Sequence, residues 1–308
     1  MTYDDIEHRL ESVFDTYRSE QEIHAVPPHR VYEVQVDGQR AVCKVSTGPT
    51  GSAELEGRIM AFVHDRTSVP VPEVLAVGEG YFVARWHPDA PAPGAAPEAT
   101  ESWSYAAGAG LATLHAETAS HLDRYGRIVV KDSELEVDGD DSWHEAALAY
   151  IERHRPVLDR YGHADMADIA YDTLVDRPDL FSGATGPVCC HGWVSPEHVT
   201  VTEEGQVACM VDFEHAIAAP PLFDYWRAVV ATFGPGEPTP EQHAFRRGYE
   251  SVRPLPDDLD ERKQLYGILN LVYFFESLYV QDQHNPDETE VRAQHMREIL
   301  TAKLDDLV

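Results

Sequence analysis

Lysine is scarce in this chain of 308 residues: it occurs only at Lys44, Lys131, Lys263 and Lys303. Lys44 lies in the apolar run Ala41 to Val45, which reads as a strand. A compact ammonium kept where arginine serves elsewhere suits phosphate oxygens. An edge-strand lysine turned to solvent is the plain alternative. Glu56 falls near the helical face of Ile59, Met60 and Val63, where a carboxylate requires a partner. A strand lysine paired with a helix glutamate is one way a fold holds nucleotide phosphates. The second group is His191-Gly192-Trp193-Val194-Ser195-Pro196-Glu197-His198, followed by Val211-Asp212-Phe213-Glu214-His215. Its imidazoles and carboxylates also offer transition-metal chemistry through His191, His198, Asp212, Glu214 and His215.

Composition narrows the choice of partner. With 24 Lys and Arg against 54 Asp and Glu, the formal net charge is −30. Such a surface repels nucleic-acid backbones and anionic lipid, so no nucleic-acid or membrane partner is expected. Acid excess with few lysines fits a salty cytoplasm, where screening makes high charge tolerable. Cys43, Cys189, Cys190 and Cys209 lack metal-site spacing and read as buried thiols, with a zinc site as the alternative. The acidic start Met-Thr-Tyr-Asp-Asp predicts no signal peptide. The apolar stretch Ile268 to Val280 carries Asn270 and Glu276 and is too short to span a bilayer. A cytoplasmic, soluble protein is expected.

The elements that must position these groups fall into two parts. Ile6, Leu10, Val13, Phe14 and Tyr17 predict an amphipathic helix over 3–20. Two apolar runs around Asp37-Gly38 predict a hairpin, and a helix carrying Glu56 follows to about Arg66. Val69-Pro70-Val71-Pro72 is an extended connector leading to strands at 74–77 and 81–86. Residues 88–100, rich in proline and alanine, read as a linker. Beyond them helices are predicted at 102–118, 142–162, 163–176, 223–233, 240–251, 261–283 and 287–307. Ser142 and Glu145 form a capping-box pair, and Pro156 should kink or end its helix. One β interlude, 188–212, interrupts the helical part.

Taken in order, these motifs resemble the aminoglycoside phosphotransferase family, the small-molecule branch of the protein-kinase-like fold that includes choline and fructosamine kinases. His191-Gly192 and Val211-Asp212-Phe213 resemble its catalytic loop and metal motif, and Ala219 to Trp226 resembles the segment that follows. His29-Arg30-Val31-Tyr32, the connector at 69–74 and Leu111-Ala112-Thr113-Leu114-His115 extend the likeness over nearly the whole chain. The resemblance implies an α+β, two-lobed fold with a small antiparallel-sheet N-lobe (1–87), a hinge (88–100) and a larger helical C-lobe (101–308) carrying the catalytic-loop hairpin at 188–212. It also implies ATP with Mg2+ or Mn2+ as cofactors. Lys44, Glu56 and His191 would then serve the nucleotide, and Asp212 and His198 the metal.

Two positions depart from the family pattern. Trp193 stands where the resemblance places a catalytic aspartate, and His198 where it places a metal-binding asparagine. Indole has no basic site, so Trp193 cannot accept a hydroxyl proton. Glu197 and Glu214 are the nearby carboxylates that could replace it; a solvated acid is the plain reading of each. The expected function is ATP-dependent phosphoryl transfer to a small hydroxylated metabolite. The alternative is a pseudokinase that binds nucleotide or metabolite and regulates a protein partner.

Overall fold

A computed structural model describes residues 3–48, 51–95, 97–234, 236–281 and 283–307. Helix α1 (Tyr3–Glu11) precedes β1 (Tyr17–Val26), β2 (His29–Val36) and β3 (Gln39–Ser46); helix α2 (Ala53–Arg66), β4 (Val74–Gly78) and β5 (Tyr81–Arg85) follow. The strands form one antiparallel sheet in the order β1-β2-β3-β5-β4. Asp37 and Gly38 both take positive φ, 46° and 75°, as the tight β2–β3 turn demands. Successive strand residues face opposite ways, and β3 uses both faces. Ala41, Cys43 and Val45 join Ile6 and Leu10 of α1 in a small core. That phase turns Lys44 the other way, onto the face shared with α2.

The helix predicted over 3–20 ends at Glu11, and Tyr17–Val26 is an edge strand instead. Most of its side chains are exposed, so its place is decided by backbone pairing with β2 from Tyr17↔Val36 to Val26↔His29. Phe14 and Tyr17, which suggested a helical stripe, pack on the small core from the connecting turn and the strand.

The described residues between β5 and α3 (Glu101–Thr118) form no helix or strand. Hairpin β6 (Tyr125–Lys131) and β7 (Glu134–Asp140) comes next, in a part expected to be helical. The alternation of Glu134, Leu135, Glu136, Val137 and Asp138 is the period-two signal behind it. Helices α4 (Trp143–Arg160) and α5 (Ala164–Val175) follow. Helix α4 runs through Pro156, and Ser142 makes no side-chain cap bond, so neither the break nor the capping box is observed. Strands β8 (Val188–Cys190), β9 (Val199–Val201), β10 (Val207–Met210) and β11 (Ile217–Ala219) lead into α6 (Pro221–Phe233), α7 (Pro240–Glu250), α8 (Leu259–Val280) and α9 (Pro286–Asp305). The 188–212 interlude is not a single hairpin. Only β9 and β10 pair with each other; β8 pairs with β11, in a sheet ordered β7-β6-β11-β8.

The fold is therefore α+β, an antiparallel-sheet N-terminal part against a helical C-terminal part. The larger core is continuous from α2 through the helices, and Pro70 ties the connector to β10 by accepting from Met210 N at 2.8 Å. All four cysteines are buried and free; burial pushes Cys43, Cys189 and Cys209 up to about 12. No helix among the described residues is long and apolar enough to cross a membrane.

Candidate active site

Lys44 Nζ lies 2.6 Å from Glu56 Oε2, 2.9 Å from Asp212 Oδ1 and 3.2 Å from Glu214 Oε2. The sequence thus paired the right lysine and glutamate and placed Asp212 opposite them. It did not foresee that Glu214 touches Lys44. That contact depends on Asp212, whose φ of 70° turns the chain so that both acids reach the cleft. Burial works against the Lys44 charge, but attraction to Asp212, Glu56 and Glu214 outweighs it and holds the ammonium well above the usual lysine range. One ammonium does not balance three carboxylates. Glu56 is the deepest, 2% exposed, and burial pushes it up to about 8 against the pull of Lys44. Asp212 and Glu214, despite burial, are held well below the usual carboxylate range by Lys44 and neighbouring histidines.

Those histidines are specific in their hydrogen bonding. Ser52 N donates to His29 Nε2 at 3.0 Å, leaving His29 Nδ1 to donate to Glu214 Oε2 at 2.8 Å. His215 Nε2 is 3.1 Å from Glu214 Oε1 and 3.0 Å from the Tyr273 hydroxyl. His198 Nδ1 donates to the Trp193 carbonyl at 2.9 Å, and its Nε2 faces Asp212 Oδ2 at 3.1 Å. A lone pair aimed at a carboxylate would be repelled, so Nε2 carries a proton as well. Burial opposes that charge, and the Asp212 bond overcomes it, raising His198 above its ordinary value. Lys44 and His198 therefore stand against Asp212 and Glu214, and Glu56 is the acid of the three that burial most favours protonating.

The loop from His191 to His198 is pinned from beneath by Asp224, fully buried on α6. Its Oδ2 accepts from His191 N at 2.6 Å and its Oδ1 from Gly192 N at 2.9 Å. His115 Nε2 adds a third donor at 3.1 Å, oriented by the Tyr249 hydroxyl, which lies 2.9 Å from His115 Nδ1. Gly192 is required here: φ is +87° and an added Cβ would lie 2.3 Å from the His215 carbonyl oxygen. His191, expected beside the nucleotide, presents no atom to the cleft. Its Nε2 donates to Val211 O at 2.9 Å and its Nδ1 accepts from Trp193 N at 3.2 Å. Both nitrogens are spent on the loop, which also removes His191 from the transition-metal reading.

A cavity of about 1190 Å³ opens around these groups, bounded by Lys44, Trp193, Glu197, His198, Asp212 and Glu214 among others. The Trp193 indole packs against Phe274 and Tyr273, with ring centroids 5.6 and 6.2 Å apart. Glu197 is exposed, and Glu214 is committed to Lys44, His29 and His215. Glu56, Asp212 and Glu214 each offer a carboxylate oxygen, all within 4.8 Å of one another. Such a hard oxygen set fits Mg2+ or Mn2+. His29 and Asp224, not assigned to the site from sequence, are read from this geometry.

No curated protein matches the chain by sequence. A family model described as the phosphotransferase enzyme family matches residues 28–265, well over half of the chain. Among solved structures, one assigned as a fructosamine-3-kinase from Thermobifida fusca has a TM-score of 0.66 at 15% identity, covering 98% of this chain and 100% of that one. A thermostable aminoglycoside phosphotransferase variant in ternary complex with ADP and hygromycin B has a TM-score of 0.64 at 16% identity, covering 99% and 98%. A choline kinase from Streptococcus pneumoniae has a TM-score of 0.65 at 14% identity, covering 97% and 98%. The chain shares their kinase-like fold.

Proposed function

The chain belongs to the phosphotransferase enzyme family, and from that premise we propose that it transfers the terminal phosphoryl group of ATP to a hydroxyl of a small metabolite. The observation that carries this reading is Lys44, held by Glu56 of α2 and by Asp212 across the cleft. Val42, Met60, Phe82 and Ala84 give the sheet side of the cavity an apolar wall on which a nucleobase can lie. Lys44 exchanges Asp212 and Glu214 for phosphate oxygens while Glu56 keeps it aimed. Asp212 would hold the divalent ion, with Glu214 beside it and His198 supporting once it gives up a proton. Bound there, Mg2+ supplies neutralisation of phosphate charge. Phosphoryl transfer relies chiefly on positioning and electrostatics, so a site without an aspartate at 193 retains the larger part of what transfer needs. Loss of a general base costs roughly 10²- to 10⁴-fold in rate, so turnover is expected to be slow.

A second reading is a pseudokinase that binds nucleotide without transfer, and Trp193 is the observation that favours it. On the family resemblance its indole stands at the position of the base, Glu197 is exposed and Glu214 is bonded to Lys44, His29 and His215. The test is nucleotide binding by calorimetry in high salt, with and without Mg2+ or Mn2+, alongside ATP consumption. Binding that weakens in Lys44→Met and Asp212→Asn supports both readings, and turnover lost in the same variants selects the first. Undetectable nucleotide binding under every metal and salt condition defeats both.

A further inference from the structure

The helical side of the cavity is cationic in a chain that is strongly anionic. Along one face of α4, Tyr150, Arg153, His154, Val157 and Arg160 recur at helical spacing, and all line the cavity. Arg227 comes up from α6 and is only 2% exposed, yet it too lines the cavity. Buried guanidinium groups are almost always paired. Among the described residues no carboxylate lies within salt-bridge distance of Arg227. Its Nη2 donates to the Tyr150 hydroxyl at 3.2 Å, its plane rests 3.8 Å from the Tyr273 ring centroid, and its buried Nε has no partner.

His154, one turn along α4 from Tyr150, is buried as well. Its Nδ1 donates to Glu276 Oε2 at 2.7 Å, which leaves Nε2 as an acceptor, and that atom is also unpartnered. Glu276 is thus occupied by His154, and Arg127, whose nearest acid is Asp138 at 3.4 Å, adds further positive charge. Arg153 lines the cavity wall, where burial and the nearby Arg127 both depress its basicity. From this space Tyr273 leads through His215 and Glu214 to Lys44.

We infer that the space between α4, α6 and α8 receives a compact oxyanion, a carboxylate or phosphate ester on a small hydroxylated molecule, with Arg227 as its buried counter-charge. Calling that molecule the phosphoryl acceptor rests on the proposed function; the anion site itself does not.

The test uses four probes of similar size: glycerate, glycerol 3-phosphate, glycerol and 3-amino-1,2-propanediol, titrated calorimetrically into the full chain at one fixed potassium chloride concentration. A buried charged hydrogen-bond donor predicts at least about tenfold tighter binding of an anionic probe than of glycerol. Whichever anion binds better identifies carboxylate or phosphate as the source. The preference is expected to vanish in Arg227→Met, with circular dichroism confirming that the variant folds; the wild-type series decides if it does not. Equal or undetectable binding of all four, or preference for the amine, overturns the inference. Anion preference that survives Arg227→Met and is lost in Arg153→Met overturns the role of Arg227. Nucleotide titrations run in parallel keep the readings apart: anion preference without nucleotide binding leaves the site standing and defeats the phosphotransferase reading, and the reverse result does the opposite.

Discussion

Replacing Asp224 by Asn changes one atom and should release the loop that carries Trp193 and His198. The fully buried carboxylate accepts three donors: His191 N, Gly192 N and His115 Nε2. Its ionised form is held below the ordinary aspartate value; burial opposes this, and the bond and charge of His115 prevail. An asparagine keeps one acceptor oxygen. If that oxygen takes the place of Oδ2 and retains His191 and His115, the new NH2 group meets the Gly192 N–H, donor against donor. A charge-assisted bond contributes about 1.5–3 kcal/mol and a stranded buried donor costs about 1–3 kcal/mol, giving a loss of about 2.5–6 kcal/mol. With an unfolding entropy of roughly 2 cal/mol/K per residue, a chain of 308 residues should show a fall in Tm of roughly 4–9 °C. Scanning calorimetry of wild type and Asp224→Asn in molar potassium chloride measures it. A fall below about 2 °C would mean that the loop does not depend on this carboxylate and would refute the accounting.

Two further outcomes are expected. Burial holds His191 down to about 4, whereas its unfolded form titrates near 6.5, so the folded chain binds fewer protons between those values. Its contribution, up to about 3 kcal/mol, is complete above pH 6.5 and is lost as pH falls toward 4. Glu56, raised to about 8, acts with the opposite sign, losing stability as pH climbs from 4.5 to 8, so the comparison must be between wild type and His191→Gln. Urea midpoints of the two should diverge between pH 4 and 6.5, the variant having the flatter acid limb; parallel curves would count against a neutral His191. Separately, with a net charge of −30, the wild-type Tm should rise from dilute buffer to molar potassium chloride, and a flat or falling Tm would reject adaptation to salt.

Strand alternation made much of the lysine site readable. Once β3 is a strand with Ala41, Cys43 and Val45 facing one way, Lys44 must face the other, and helix α2 begins close enough in sequence to offer Glu56. Asp212 came from motif order rather than periodicity. The β6–β7 hairpin had a legible period-two pattern, whereas two other missed features rest on pairing that local pattern does not decide. Strand β1 is a polar edge strand held by the backbone of β2, and β8 passes over the nearby hairpin to pair with β11. The contact between Lys44 and Glu214 required the left-handed turn at Asp212, which a non-glycine residue does not announce. Arg227 read as one position of an ordinary helix. Its meaning depends on α4 and α8, distant in sequence, enclosing it without supplying an acid.

The two departures in the loop are linked through charge. Relative to the family pattern, Trp193 removes one negative charge and a protonated His198 adds one positive charge, a change of two in the direction a divalent cation would supply. Geometry joins them directly, since His198 donates to the carbonyl of Trp193 while holding Asp212. Lys44 and His198 already neutralise Asp212 and Glu214. A doubly charged ion held by Asp212 would favour loss of the His198 proton, because His198 Nε2 already faces Asp212 Oδ2. A metal bound there would displace the His198 proton, so its affinity would rise with pH. A nucleotide alone needs only the ammonium of Lys44. If the proposed function holds, the divide between holding a nucleotide and transferring its phosphate would lie at His198 as much as at Trp193.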